Sequence, residues 1–350
     1  MDKLQTIENV IKYMPLPAFV AKDGNILLKN EQAKKVTLGD VSEKLLSIEN
    51  DGGSVMWEDR VNGQRCSLVA WKADEFSIMT VSNLSSDVSE AAKKISRGIR
   101  ETLSGIHSCS KIIMNRLDES EPNNDEYCAA MTHNIYKSMR LMGNLDTLAA
   151  FDEYNLDRRS KATDLKKLIQ ELVEKTKPFT EALGMELVCT LPSAIVITMA
   201  DEVLLETAIG NLIENSFRYS PKGSKVTVKL DIIQKNLVIT VKDNGSGMSP
   251  QKLQHIATAN YEWQSLSDMF ASSAGMGLLI AKFAAYAHGG SMVMQSREGA
   301  GTGVTLTIPF KKPDGLFVSA PTIRFKPDHL SPLIMYADIL PRESYMYVEL

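Results

Sequence analysis

The first 85 residues alternate short apolar runs with turn residues. In LPAFVAKDGNILLKNEQAKKV an apolar run precedes Asp23-Gly24 and Ile26-Leu27-Leu28 follows it, which predicts a strand hairpin leading into a helix-like segment. CSLVAW from Cys66 and FSIMTVSNL from Phe76 predict two further strands. From about Val88 the period lengthens. Ile95, Ile99, Leu103, Ile106 and Ile113 recur at helical spacing, and so do Met131, Ile135, Met142 and Leu145 after the polar break SEPNNDE. These predict two long amphipathic helices joined by a loop containing Pro122, an αα-hairpin. One such hairpin cannot bury both stripes. Two can, as a four-helix bundle, so burial alone predicts a homodimer.

Beyond the charged stretch FDEYNLDRRSKATD, helix and strand patterns interleave. LKKLIQELVEKTKPFTEAL and DEVLLETAIGNLIENSFRYS predict helices, MELVCTLP a strand, and KVTVKLDIIQKNLVITVKDNG a strand hairpin. A Gly/Ser/Ala-rich stretch, another helix and the strands SMVMQSR and GTGVTLTIPF follow, which together predict a two-layer α/β sandwich. The expected organisation is an α+β multidomain chain with units at 1–85, 86–155 and 160–312 and an extension at 313–350. That extension carries Pro321, Pro327, Pro332 and Pro341 around the apolar cluster Leu333-Ile334-Met335-Tyr336. Pattern alone leaves open whether it docks on the preceding unit or meets a partner.

Composition narrows this picture by exclusion. With 44% hydrophobic and 23% charged residues, the 350-residue chain has the balance of a globular protein. A net charge of −4 gives no electrostatic reason to expect nucleic acid. Cys66, Cys109, Cys128 and Cys189 form no ligand-like pair, which argues against a disulfide framework or a zinc site. The most apolar stretch, AGMGLLIAKFAAYA from Ala274, is too short to span a bilayer and contains Lys282. MDKLQTIENV has no apolar core of a signal peptide, so a cytoplasmic location without membrane insertion is expected.

Candidate chemistry gathers in the third unit, in four elements. In N-L-I-E-N-S-F-R-Y-S-P, Asn211 and Asn215 stand four apart on one helix face. D-N-G-S-G-M, Asp243 to Met248, ends a predicted strand. A-G-M-G-L-L-I-A-K opens a helix at Gly275, Met276, Gly277 and Leu278, and G-A-G-T-G-V-T-L, Gly299 to Leu306 with Thr302 inside it, enters the final strand. In this order they closely resemble the N, G1, G2 and G3 boxes of the ATP-binding domain of sensor histidine kinases and their GHKL relatives. The resemblance implies a Bergerat-type sandwich that binds ATP with Mg²⁺. A carboxylate at Asp243 suits the adenine amine, and Gly245 and Gly247 let backbone come close to the ring. Amide oxygens at Asn211 and Asn215 suit a hard cation shared with phosphates. Gly275 and Gly277 at a helix start offer N–H groups to phosphate. By the same resemblance Arg218 stands where the family has a phosphate-facing Lys, Tyr219 packs on the nucleotide, and Met248 to Ala274 form a lid with Tyr261 and Phe270 near its F-box. The first glycine of the usual G2 pattern is Ser273 here. Asn211 occupies the position where the ATPases of this superfamily carry a Glu that polarises water. An amide is no general base, which favours phosphoryl transfer or plain binding over hydrolysis.

The N-terminal pattern of strand, Asp-Gly turn, strand, helix and strand ribbon resembles a PAS sensor domain. The hairpin resembles a histidine kinase dimerisation domain, which implies a homodimer and a response regulator or another kinase as partner in a two-component phosphorelay. Its acceptor box departs from the family. The Ser-His-Glu-Leu-Arg-Thr-Pro-Leu pattern aligns with S-R-G-I-R-E-T-L, Ser96 to Leu103, so Arg97 stands at the phosphoacceptor position and Gly98 at the acidic one. A guanidinium stays protonated and is no phosphoryl acceptor. His107 lies about 15 Å further along the helix as a possible alternative acceptor. His133 reads as a solvent-facing residue of the second helix, and His255, His288 and His329 as structural. Two rivals stand beside a kinase: a non-catalytic module in which ATP occupancy changes the hairpin for a partner, and a protein-serine kinase of the anti-sigma type. The long hairpin speaks against the last.

Overall fold

The computed structural model describes residues 3–12, 14, 16–51, 53–62, 64–83, 105–106, 124–149, 156–259, 274–313 and 331–345. The expected first helix of the hairpin, apart from Gly105 and Ile106, lies outside these residues, with Arg97 and His107; so do Tyr261, Phe270 and His329.

Asp23 and Gly24 take φ of 51° and 73°, the two left-handed residues that a tight hairpin between β1 (Ala18–Lys22) and β2 (Asn25–Lys29) requires. Helix α1 (Lys3–Lys12) precedes this pair, and α2 (Ser42–Asp51) follows a single 3₁₀ turn. Strands β3 (Ser54–Val61), β4 (Gln64–Ala73) and β5 (Phe76–Asn83) complete an antiparallel set in the order β2-β1-β5-β4-β3. Sequence pattern finds β4 and β5 but passes over β3. The reason is burial on both faces. Val55 and Trp57 join the cluster of α2 (Leu45, Ile48), and Met56 between them joins the main core, so the strand shows no polar–apolar alternation.

Helix α3 (Asn124–Ala149) falls where the second helix of the hairpin is expected. After one helical turn at Leu156–Arg159 come β6 (Lys161–Asp164) and α4 (Leu165–Leu183). Asp164 caps α4 by accepting the Lys167 N–H at 3.2 Å, and Gly184 closes it at φ +62°. The rest of the unit is β7 (Glu186–Thr190), β8 (Ile197–Ala200), α5 (Glu202–Arg218), β9 (Lys225–Ile233), β10 (Asn236–Asp243), α6 (Pro250–Ala259), α7 (Ala274–Ala287), β11 (Ser291–Arg297) and β12 (Gly301–Pro309). β7 runs parallel to β9 and the remaining neighbours are antiparallel; β6 and β8 form a separate pair. Helices α4, α5 and α7 pack together on the sheet, with Ile169, Leu205, Ile209, Val226, Ile239, Ala281 and Leu306 buried between the layers.

The two strand sets share one ten-stranded sheet, because β3 pairs antiparallel with β11 (Val55 opposite Gln295, Trp57 opposite Val293) and the Ser54 hydroxyl donates to the Ser296 carbonyl at 3.0 Å. Helix α6 packs on β3, β4 and β5 of the N-terminal set, with Leu253 fully buried and Gln254 Nε2 donating to Thr80 Oγ1 at 3.3 Å.

The C-terminal extension docks on the preceding units. A short turn at Pro332–Met335 and a 3₁₀ turn at Arg342–Tyr345 bury Ile334, Met335, Tyr336, Leu340 and Tyr345 against α3, α4 and α5. Thr176 Oγ1 already donates to the Leu172 carbonyl, so the buried Tyr336 hydroxyl donates to it at 3.0 Å. His133 is no solvent-facing residue. It meets the Ala337 carbonyl at 2.6 Å and stacks 5.0 Å from Tyr345, because one face of α3 is covered by the extension. The predicted stripe on the other side is less covered: Met131 and Ile135 are half-buried and Met142 is exposed.

Candidate nucleotide site

Helix α5 is the frame of the site. Asp201 caps it, accepting the Leu204 N–H at 3.0 Å, while its own N–H donates to His288 Nε2 at 3.0 Å. His288 Nδ1 donates to the Ala284 carbonyl at 2.7 Å, so the buried imidazole is neutral and ties the end of α7 to the start of α5. Burial pulls its pKa below the ordinary value, with the Ala284 bond and Asp201 opposing. Further along, α7 starts beside the middle of α5: a Cβ on Gly277 would lie 3.0 Å from Asn211 Cβ. Glycine brings the N and G2 elements together.

The G1 loop closes on the other end of α5. A Cβ on Gly245 would meet the Tyr219 carbonyl at 2.6 Å and Ser220 Oγ at 2.7 Å; Gly247, at φ +64°, would meet the Arg297 carbonyl at 1.9 Å. Gly301, at φ +90°, would meet the Asp243 carbonyl at 2.1 Å. These glycines therefore answer first to the close packing of protein loops on one another. Asp243 Oδ1 accepts the Gly245 N–H at 2.9 Å and the Thr302 N–H at 3.0 Å, which fixes the carboxylate between the G1 and G3 loops. Burial raises its pKa, against hydrogen bonds from Gly245, Thr302 and Ser216.

The other expected residues divide by what they touch. Tyr219 is half-exposed, with the Lys252 ammonium 5.6 Å from its ring centre. Met276 and Leu278 are buried in the core, so any contact with a ligand there falls to the backbone beside Gly275 at the start of α7; Met248 is half-buried against the same core. Arg218 does not stand open to a phosphate. Its guanidinium bonds Glu214 through Nε at 2.9 Å and through Nη2, and lies 3.4 Å from Asp338 of the extension.

One side chain beside these residues was not anticipated. Arg140 of α3 is buried beside α5, 3.1 Å from Glu214 Oε2 and 2.5 Å from Asp338 Oδ2, and its Nη2 donates to Asn211 Oδ1 at 3.5 Å. Burial disfavours its charge, but Glu214 and Asp338 outweigh that and raise its pKa. Two guanidiniums and two carboxylates thus form a closed ring joining α3, α5 and the extension. No motif marks it; a lone Arg on the polar side of an amphipathic helix reads as solvated.

For a divalent cation the donor set is uneven. The Asn215 oxygen is buried and has no hydrogen-bond partner among the described residues, which fits a hard cation. The Asn211 oxygen faces a guanidinium and is the poorer ligand. Among the described residues no group of three or more His, Cys, Asp or Glu could hold a metal alone, so a cation here would share its coordination with a ligand.

Residues 200–312 match the family described as histidine kinase-, DNA gyrase B- and HSP90-like ATPase. The chain is 24% identical over 64% of its length to the sensor histidine kinase WalK of Bacillus subtilis, and 27% identical over 61% to the histidine protein kinase DivJ of Caulobacter vibrioides. Residues 200–312 thus carry a GHKL-type ATPase domain, and the chain is similar to sensor histidine kinases over about three fifths of its length. It spans just over a third of those relatives, 37% and 36% of their lengths. A solved Acinetobacter baumannii histidine kinase, AdeS, is similar at 16% identity over 60% of this chain and 96% of that one, with a TM-score of 0.47. Among the described residues no helix is long and apolar enough to cross a membrane.

Proposed function

We propose that the chain is a sensor histidine kinase-like signalling protein of a two-component system that binds Mg²⁺·ATP but does not phosphorylate itself at the usual acceptor position. The convergence of three glycine-containing segments on α5 carries the nucleotide reading, with Asp243 as the adenine acceptor and Asn215 as the cation ligand. Arg97 in the acceptor box carries the second half, since only a neutral imidazole nitrogen there has the required nucleophilicity. In this reading the N-terminal set, whose order β2-β1-β5-β4-β3 supports a PAS-like sensor, lies at 1–85, the dimerisation hairpin at 86–155 and the ATP-binding domain at 160–312. The less covered stripe of α3 supports a homodimer through the hairpin. A response regulator or a second kinase is the downstream partner, and the compartment is the cytoplasm.

A specific observation favours a non-catalytic form of this activity. Residues 331–345 brace α3 against α4 and α5, so nucleotide occupancy is felt by the hairpin directly. Incubation with γ-labelled ATP and Mg²⁺ tests the proposal. Bound nucleotide without protein label is expected. Strong acid-labile, alkali-stable label that survives His107→Ala would show that the acceptor is misplaced.

A further inference from the structure

Helices α3 and α5 together carry an unusual set of buried polar atoms. Arg140 Nε, Asn144 Nδ2 and Asn211 Nδ2 are each enclosed and without a hydrogen-bond partner among the described residues. All three are donors. Arg140 and Asn144 are four apart on α3 and so share a face; Arg140 reaches Asn211 directly. The amide orientation of Asn211 follows from that contact, because a guanidinium has no acceptor and must face the oxygen. Buried donors left unpaired are costly, and three on two helices that meet at Arg140 and Asn211 point to an acceptor-rich group that belongs there. The orphan acceptor of Asn215 lies one turn from Asn211 on the same face of α5 and suits the cation that accompanies such a group.

We propose that Arg140 and Asn144 of the hairpin helix, with Asn211, bind the terminal phosphate oxygens of the nucleotide, so that α3 distinguishes a triphosphate from a diphosphate. This rests on the nucleotide reading above and adds to it the residues that read the γ-phosphate. Asp338 acts as the positioning residue: its carboxylate holds one arm of the Arg140 guanidinium at 2.5 Å and leaves Nε turned elsewhere. The triphosphate state is thereby transmitted to the dimerisation hairpin without any transfer of phosphate.

The test is calorimetric titration of the full chain with Mg²⁺·ATP, Mg²⁺·ADP and adenosine. The wild type should prefer Mg²⁺·ATP over Mg²⁺·ADP by about tenfold, the scale of one hydrogen bond to a charged group. Asn144→Leu keeps the ion ring intact. It should weaken Mg²⁺·ATP about fivefold and leave Mg²⁺·ADP and adenosine unchanged; Arg140→Met should abolish the preference. Hydrogen exchange of the wild type is independent of whether the variants fold. Residues 137–147 should be slowed by Mg²⁺·ATP but not by Mg²⁺·ADP or inorganic phosphate. An unchanged ATP-to-ADP ratio in Asn144→Leu, or equal protection by all three ligands, overturns the inference while leaving nucleotide binding intact. Failure of the wild type to bind any adenine nucleotide overturns the nucleotide reading and this inference with it.

Discussion

Helix α5 is held in two contrasting ways. At its C-terminal end the G1 and G3 loops press backbone against backbone: Gly245 on Tyr219 and Ser220, Gly247 on Arg297, Gly301 on Asp243. Along its flank the grip is made of side chains, with Arg140, Asp338, Glu214 and Arg218 in one ionic ring and Met335 seated over Gly210. The first grip tolerates one residue type at each contact and so leaves a motif. The second could be built from many residue pairs and leaves none.

The comparison breaks most visibly at the ion ring. Arg140→Ala leaves Glu214, which is 1% exposed, and Asp338 with a single guanidinium between them, and should destabilise the chain by about 3–5 kcal/mol in denaturant unfolding. Replacing the ring by apolar residues of similar size should recover much of that loss. If Arg140→Ala unfolds at the wild-type midpoint, the ring does not hold α3 on α5.

On the loop side, Gly247 and Gly299 provide a matched pair. Both have positive φ, +64° and +74°, but Gly247 faces the Arg297 carbonyl whereas a Cβ on Gly299 would meet nothing within 4 Å. Gly247→Ala should cost about 3 kcal/mol or more and abolish nucleotide binding, while Gly299→Ala should cost about 1 kcal/mol for its backbone conformation alone. Equal costs would remove close packing as the reason for glycine at Gly247.

Asp243→Asn alters the chemistry while sparing most of the packing, so its effect should fall on binding. Loss of the acceptor for the adenine amine should weaken ATP by about 1–3 kcal/mol in calorimetry. Because burial raises the Asp243 pKa, wild-type affinity should begin to fall at a higher pH than an ordinary carboxylate would dictate as the solution is acidified. The mutant should lack that dependence; an affinity equal to wild type would dismiss the adenine role.

The smallest effect concerns His288. Its folded pKa is depressed below the ordinary value near 6.5, so the unfolded chain binds the proton first. The stability it contributes is fully present above about pH 6.5 and is lost as pH falls from there toward the folded pKa, by at most about 1.4 kcal/mol for each pH unit. Thermal unfolding across this range should show the slope in wild type and a shallower one in His288→Gln.

β7, β9 to β12 and the helices α4, α5 and α7 were legible because each repeats one period; β6 and β8, four residues each, were too short to show one. β3 was not legible either, since it is buried on both faces. The loops that meet at α5 were legible, but what three side chains touch was not: Arg218 turns to carboxylates, and Met276 and Leu278 to the core. Their residue types match the motif, but the partners that orient or bury them come from other segments.

By itself, then, the sequence determined the three glycine-containing segments around α5, the polar residues of α5 they meet and the layered α/β unit behind them. Each is a local requirement of backbone sterics, periodicity or a single side chain's chemistry, and local requirements are written in consecutive residues. Only the tertiary structure decided that β3 extends the sheet of the ATPase unit, that residues 331–345 brace α3, and that Arg140 stands at Asn211. These contacts join segments tens to hundreds of residues apart and depend on summed burial and charge pairing, which impose no spacing on the chain.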